Sequence, residues 1–339
     1  MKRNATAIWR GTISAGSGNL TTQSAILRNT TVSFCLSIQL LVLLMSTSQS
    51  EAQSSKTIYY SSATAPIQFA QVDTFNIAYK EMGTGDPIIF LQRFRGTLND
   101  WDPAFVDALA KKYRVILFDA PGVGLSSGTV PVSITTMADQ AVAFASAIGI
   151  PRSNYLGWSM GGAIAQVLAI NHPERVIRLI LAATGPSANP EFVAGNPEFG
   201  VKARKPIYSF EDNQFLFFYN SPASKKACSE YLGRLESIKE RDTVANVSAY
   251  ANMSTALALF KANKEKNYFE LLKSIGHPAL VANGKYDPSY PFANSYVLAR
   301  EIPNSKLIVY PDAGHGFLFQ YYSEFALEVM NFLSQENNK

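Results

Sequence analysis

The stretch Tyr155-Leu156-Gly157-Trp158-Ser159-Met160-Gly161-Gly162 decides how the rest of the chain is read. A short apolar run leads into a G-x-S-x-G turn, and the turn leads into a helical pattern whose apolar positions Ile164, Val167 and Leu168 share one face. A serine in so tight a turn has strained backbone angles, and side chains in place of Gly157 and Gly161 would collide with neighbouring backbone. Ser159 is therefore expected at the carboxyl end of a sheet strand. The helix beginning at Met160 then directs its N–H groups at any oxyanion formed beside the serine.

The pattern on either side supplies that sheet. Gln68–Val72 and Phe75–Met82 alternate as a hairpin, and short apolar runs follow at 88–91, 115–118, 155–156, 176–183, 279–282 and 307–310. Helical patterns at 103–111, 134–148, 160–171, 291–301 and 322–334 lie between them, which predicts an α/β fold with a mostly parallel central sheet and helices on both faces. One interval breaks the rhythm. From 187 to 276 there are helical stretches and the aromatic run Phe215-Leu216-Phe217-Phe218-Tyr219, but no buried-strand run. An inserted helical cap over the end of the sheet is expected there, its aromatics serving either as the cap's own core or as the lining of a substrate pocket.

A serine hydroxyl needs a base within reach, and the chain has three histidines. His172 ends the helix that Ser159 begins, about 18 Å away at ~1.5 Å per residue, and reads as a structural residue. His277 precedes Pro278 before a strand, at the opposite end of the sheet. His315 lies in Pro311-Asp312-Ala313-Gly314-His315-Gly316-Phe317, a loop leaving the carboxyl end of its strand, with glycines on both sides to present the ring. The base needs an acid that fixes its tautomer. Asp287, in the loop Asn283-Gly284-Lys285-Tyr286-Asp287-Pro288, is the expected partner. Asp312 reads as a turn acid, and Asp119 as the brace of the glycine loop Ala120-Pro121-Gly122-Val123-Gly124.

Composition narrows the function classes. At 339 residues and 47% hydrophobic, the chain is too apolar to be disordered. Cys35 and Cys228 cannot build a disulfide framework or a cysteine-rich metal site. The net charge of +4 belongs mostly to the N-terminus, where Lys2, Arg3, Arg10 and Arg28 face the single acid Glu51. A nearly neutral remainder has no footprint for nucleic acid. The run Phe34–Met45 rises only about 18 Å as a helix, too short for a ~30 Å hydrocarbon core, so no stable membrane span is expected in the mature chain. It reads as the hydrophobic part of a signal peptide cleaved near Ala52, implying a secreted or periplasmic protein. An uncleaved anchor and an organellar transit peptide stay open. The expected organisation is a leader over 1–52, a linker over 53–65, a core over 66–186 and 277–336, and the cap over 187–276. Oligomeric state is not legible.

With these residues in place, residues 66–335 resemble the α/β-hydrolase superfamily. The chain order Ser159, Asp287, His315 matches that family's nucleophile, acid and base, and the Asp119–Ser127 loop and Asn171-His172-Pro173-Glu174-Arg175-Val176 are similar to its motifs. The resemblance implies a catalytic triad, an acyl-enzyme, a small-molecule substrate, and no metal or organic cofactor. It also implies Phe94 as the second oxyanion N–H donor beside Met160. The chain departs from the family at Gln92-Arg93-Phe94-Arg95-Gly96, where many relatives carry His-Gly. Arg93 or Arg95 there either binds a substrate carboxylate or braces the loop. Trp158 is a further candidate for substrate contact. The resemblance is to capped esterases, carbon–carbon-bond hydrolases, lactonases and perhydrolases, and a ligand-binding protein that no longer turns over substrate is the non-enzymatic alternative.

Overall fold

The computed structural model describes residues 58–239 and 247–335, and the backbone of three short strands, Ala5–Arg10, Ser17–Thr22 and Thr30–Ser33. Those three pair antiparallel in a small sheet of their own, in a unit Met1–Thr57 separate from Ile58–Lys339. The hydrophobic run Phe34–Met45 and the cleavage position near Ala52 lie outside the described residues. Among the described residues, no helix is long and apolar enough to cross a membrane.

In the second unit the apolar runs become eight strands. They are β1 (Gln68–Val72), β2 (Phe75–Met82), β3 (Pro87–Leu91), β4 (Arg114–Phe118), β5 (Ser153–Trp158), β6 (Val176–Ala182), β7 (Ala279–Gly284) and β8 (Ser305–Tyr310). They form one sheet in the order β8-β7-β6-β5-β3-β4-β2-β1, with β1 and β2 antiparallel and the remaining pairs parallel. The hairpin entrance and the parallel body are both as the alternation predicts.

Period-two alternation sends successive strand residues to opposite faces. Ile89, Leu91, Tyr155, Leu179 and Leu181 join one core, and Ile88, Phe90, Leu156, Trp158, Ile180 and Ala182 the other. Helices α1 (Pro103–Ala110), α2 (Ile134–Ala147) and α3 (Met160–Asn171) precede β6. Between β6 and β7 come α4 (Pro197–Lys202), α5 (Phe210–Phe217), α6 (Pro222–Glu236), α7 (Val247–Lys261) and α8 (Tyr268–Leu271). No strand occurs in this insertion among the described residues. The chain closes with α9 (Phe292–Glu301), α10 (Phe317–Gln320) and α11 (Tyr322–Leu333). Helices α2, α3 and α7 pack into the first core, and α1, α5, α6 and α11 into the second.

Candidate active site

Ser159 sits where β5 gives way to α3, with φ 58° and ψ −116°. A left-handed serine costs about 1–3 kcal/mol and persists only where the surroundings over-determine it. Here the Ser159 N–H donates to the Ala182 carbonyl and the Ser159 carbonyl accepts from Gly162 N–H, each at 2.9 Å. The flanking glycines are a steric necessity. A Cβ at Gly161 would fall on the Leu91 carbonyl oxygen at the end of β3, and one at Gly157 on the Gly161 carbonyl. The turn therefore packs α3 directly onto two strand ends.

His315 stands in the loop after β8, buried, and its Nδ1 is 2.8 Å from Asp287 Oδ2. Asp287, in the loop after β7, is buried as well, and its Oδ1 accepts from the N–H groups of Ser289 and Tyr290 at 2.7 and 2.9 Å. A carboxylate facing Nδ1 selects the tautomer that carries its proton there, leaving Nε2 to accept. Ser159 and His315 line one small cavity of about 20 Å³, together with Phe94 and Phe199. A larger cavity of about 370 Å³ also reaches Ser159, between Phe94, α4 and α7.

Met160 is the first residue of α3, and the leading N–H groups of a helix have no partner inside it. Phe94 lines both cavities that touch Ser159. Its loop is held from several sides. Asp119 accepts from Leu98 N–H at 2.6 Å and from Leu125 N–H at 3.2 Å, so it ties the Phe94 loop to the glycine loop after β4. Gly124, at φ 53°, leaves no room for a side chain beside that carboxylate.

Three further candidates take definite places. Arg93 is buried, its guanidinium 5.4 Å from the Trp158 ring and 5.0 Å from the Phe217 ring, with Nη1 donating to the Phe94 carbonyl and Nη2 3.5 Å from Asp100. It braces the loop and also lines the small cavity shared by Ser159 and His315. Arg95 does the same toward the insertion: it donates to the carbonyls of Ala203 and Pro206 and lies 3.8 Å from the Tyr250 ring. Trp158 lines neither of the two cavities that reach Ser159. Strand alternation turns its ring away from Ser159 into the second core, where Nε1 donates to the His315 carbonyl at 3.0 Å.

The other candidates fall outside the site. His172 contacts Asp139 at 2.7 Å, and burial lowers the pKa of His277. Asp312 accepts from the Ser221 hydroxyl at the start of α6. What sequence reasoning missed is the ring shell of His315. Phe199, Trp158, Phe217 and Tyr290 stand 5.4, 5.7, 6.4 and 6.4 Å from the imidazole, all of them from outside its own neighbourhood in sequence. The insertion also grips the loop through its backbone, since Gly316 N–H donates to the Phe217 carbonyl at 2.6 Å.

Comparison with known proteins agrees with this architecture. The family model for the alpha/beta hydrolase fold matches residues 86–321. A solved alpha/beta hydrolase fold protein from Chitinophaga pinensis is 33% identical, with a TM-score of 0.74, over 81% of this chain and 99% of that one. A poly(3-hydroxyalkanoate) depolymerase of Ectopseudomonas oleovorans is 31% identical over 69% of this chain and 80% of its own. A 2-hydroxy-6-oxononadienedioate/2-hydroxy-6-oxononatrienedioate hydrolase of Pseudomonas sp. is 26% identical over 77% and 92%. The chain belongs to the alpha/beta hydrolase fold family.

Proposed function

We propose that the protein is a serine hydrolase that cleaves a small carboxylic ester or related acyl substrate through Ser159, His315 and Asp287. The observation that carries this reading is convergence: a strained serine and a buried, carboxylate-paired imidazole, 156 positions apart in sequence, open onto one cavity. His315 Nε2 takes the Ser159 proton as the oxygen attacks the carbonyl carbon. Negative charge moves to the carbonyl oxygen, which the N–H groups of Met160 and Phe94 receive. Asp287 keeps the ring oriented and stabilises the imidazolium. The imidazolium protonates the departing alcohol, and water activated by the same ring then releases the acid and regenerates Ser159.

The insertion over 187–276 acts in this reading as a cap, closing the cavities against water. The two most identical comparisons named above, a depolymerase and a hydrolase-fold protein, are compatible with acyl chemistry. The leader, in the same reading, exports the chain.

Ser159→Ala tests the assignment. Wild-type protein is expected to release a stoichiometric burst of p-nitrophenol from p-nitrophenyl butyrate and to take up one fluorophosphonate label, and the variant to do neither. Near-normal turnover by the variant would refute the nucleophile. A wild type that neither turns over nor labels would favour the ligand-binding alternative.

A further inference from the structure

The larger cavity at Ser159 carries charge of one sign. Near the serine its walls are apolar, from Phe94, Phe199 and Leu257, and its charged lining residues are Arg204 and Lys261, with no carboxylate in the lining among the described residues. The acids around it are engaged elsewhere. Glu198 contacts Lys202, Asp212 contacts Lys202 and Lys205, and Glu191 pairs with Arg300.

Lys261 is the last residue of α7, and its ammonium stands 4.6 Å from the centre of the Tyr290 ring. That ring lies 6.4 Å from the His315 ring, so the ammonium is no more than about 11 Å from the imidazole. Arg204 is exposed, with Nη1 donating to the Gly200 carbonyl at 3.0 Å. A neutral acyl chain would cover these cations and return nothing for their lost hydration. A chain ending in a carboxylate meets them with charge-assisted hydrogen bonds that compensate this loss.

We infer that this cavity selects an acyl group bearing a terminal carboxylate, with Lys261 as the principal specificity residue and Arg204 supporting it at the open side. The inference rests on the hydrolase reading above and adds the charge of the substrate. The distance limits the spacer to a short chain, which makes a six-carbon diacid half-ester a suitable probe.

The test is binding, measured by calorimetry on full-length Ser159→Ala so that turnover plays no part. Monoethyl adipate is expected to bind at least tenfold more tightly than ethyl hexanoate, the uncharged ester of equal chain length. Lys261→Gln should remove most of that preference, Lys261→Arg should retain it, and Arg204→Gln should remove part. Equal affinity for the two ligands, no measurable binding of the half-ester, or a preference that survives in the Lys261→Gln/Arg204→Gln double variant would overturn the inference. Failure of the hydrolase reading has a different signature: a wild type that prefers monoethyl adipate in binding yet hydrolyses neither ester.

Discussion

The two halves of the insertion between β6 and β7 meet the candidate site at Ser159 and His315 in different ways. The first half, α4 to α6, is bolted to the His315 loop by named polar bonds. Phe217 gives its carbonyl to Gly316 N–H, Ser221 donates to Asp312, and Ser224 donates to Gln320 at 2.6 Å. The second half, α7, touches the centre chiefly through apolar and ring contacts. Met253 Sδ accepts from Arg95 N–H, Leu257 lines the cavity, and Lys261 lies over Tyr290. Polar bonds fix angle and distance, whereas apolar packing tolerates changes of shape. The first half therefore orients His315 as well as lining one wall of the cavity, and the second half supplies the more adaptable facing wall. Arg95 joins them, with φ 62° in the Phe94 loop, its guanidinium on carbonyls of the first half and its charge over Tyr250 of the second.

Substitutions in the two halves should separate kcat from KM. Phe217→Leu removes the ring that faces both Arg93 and His315 while leaving the carbonyl that holds Gly316. Its expected effect is a fall in kcat of about tenfold to a hundredfold with KM nearly unchanged, a misplacement cost in line with positioning effects. Leu257→Ala enlarges the cavity next to Ser159. It should raise KM for short acyl chains by several-fold and move the preference toward longer ones, with a smaller change in kcat. Steady-state kinetics on a series of p-nitrophenyl esters reads both. Two variants with the same kcat and KM pattern would dissolve the division of labour.

A smaller effect is expected at the bolt itself. Ser221 accepts from Ser224 N–H as the N-cap of α6 and donates to Asp312, so Ser221→Ala removes two bonds at once. Cap removal costs about 1 kcal/mol. Urea unfolding should show a lower midpoint with the slope preserved, and kcat should drop modestly as the His315 loop loosens. An unchanged midpoint would mean that the first half holds its place without this contact.

How much of this was legible beforehand depends on whether the cause was local. The serine turn could be read because collisions at Gly157 and Gly161 are local consequences of backbone geometry. Asp287 and His315 could be read because each follows a strand, and strand ends of a parallel sheet lie together. The place of Trp158 in the second core was legible too, since alternation puts it on the face of Leu156 and away from Ser159. Arg95 was readable as a candidate brace, but not by its partners. Its partners lie more than 100 positions downstream, and only folding brings the carbonyls of Ala203 and Pro206 to it. Lys261 looks in sequence like any cation closing a helix, and its place in the cavity follows from the angle of α7.

The first half also contains its own reporter. Cys228 lies on α6, fully buried, and burial pushes its thiol up to about 12. A thiol held neutral by the fold is unreactive toward Ellman's reagent until α6 opens, because the thiolate is the attacking species. The linkage sign follows from the raised value. The protonated thiol is favoured in the folded state, so its contribution is complete below the unfolded value near 9 and is lost as pH climbs from there to about 12. Native protein at pH 8 should therefore label slowly, and the rate should climb in Ser221→Ala by the factor that opening becomes easier. Leu257→Ala, on the other half, should leave the rate nearly unchanged. Immediate labelling of the wild type, or equal acceleration by both substitutions, would show that the two halves open as one body and that the polar bolts do not set them apart.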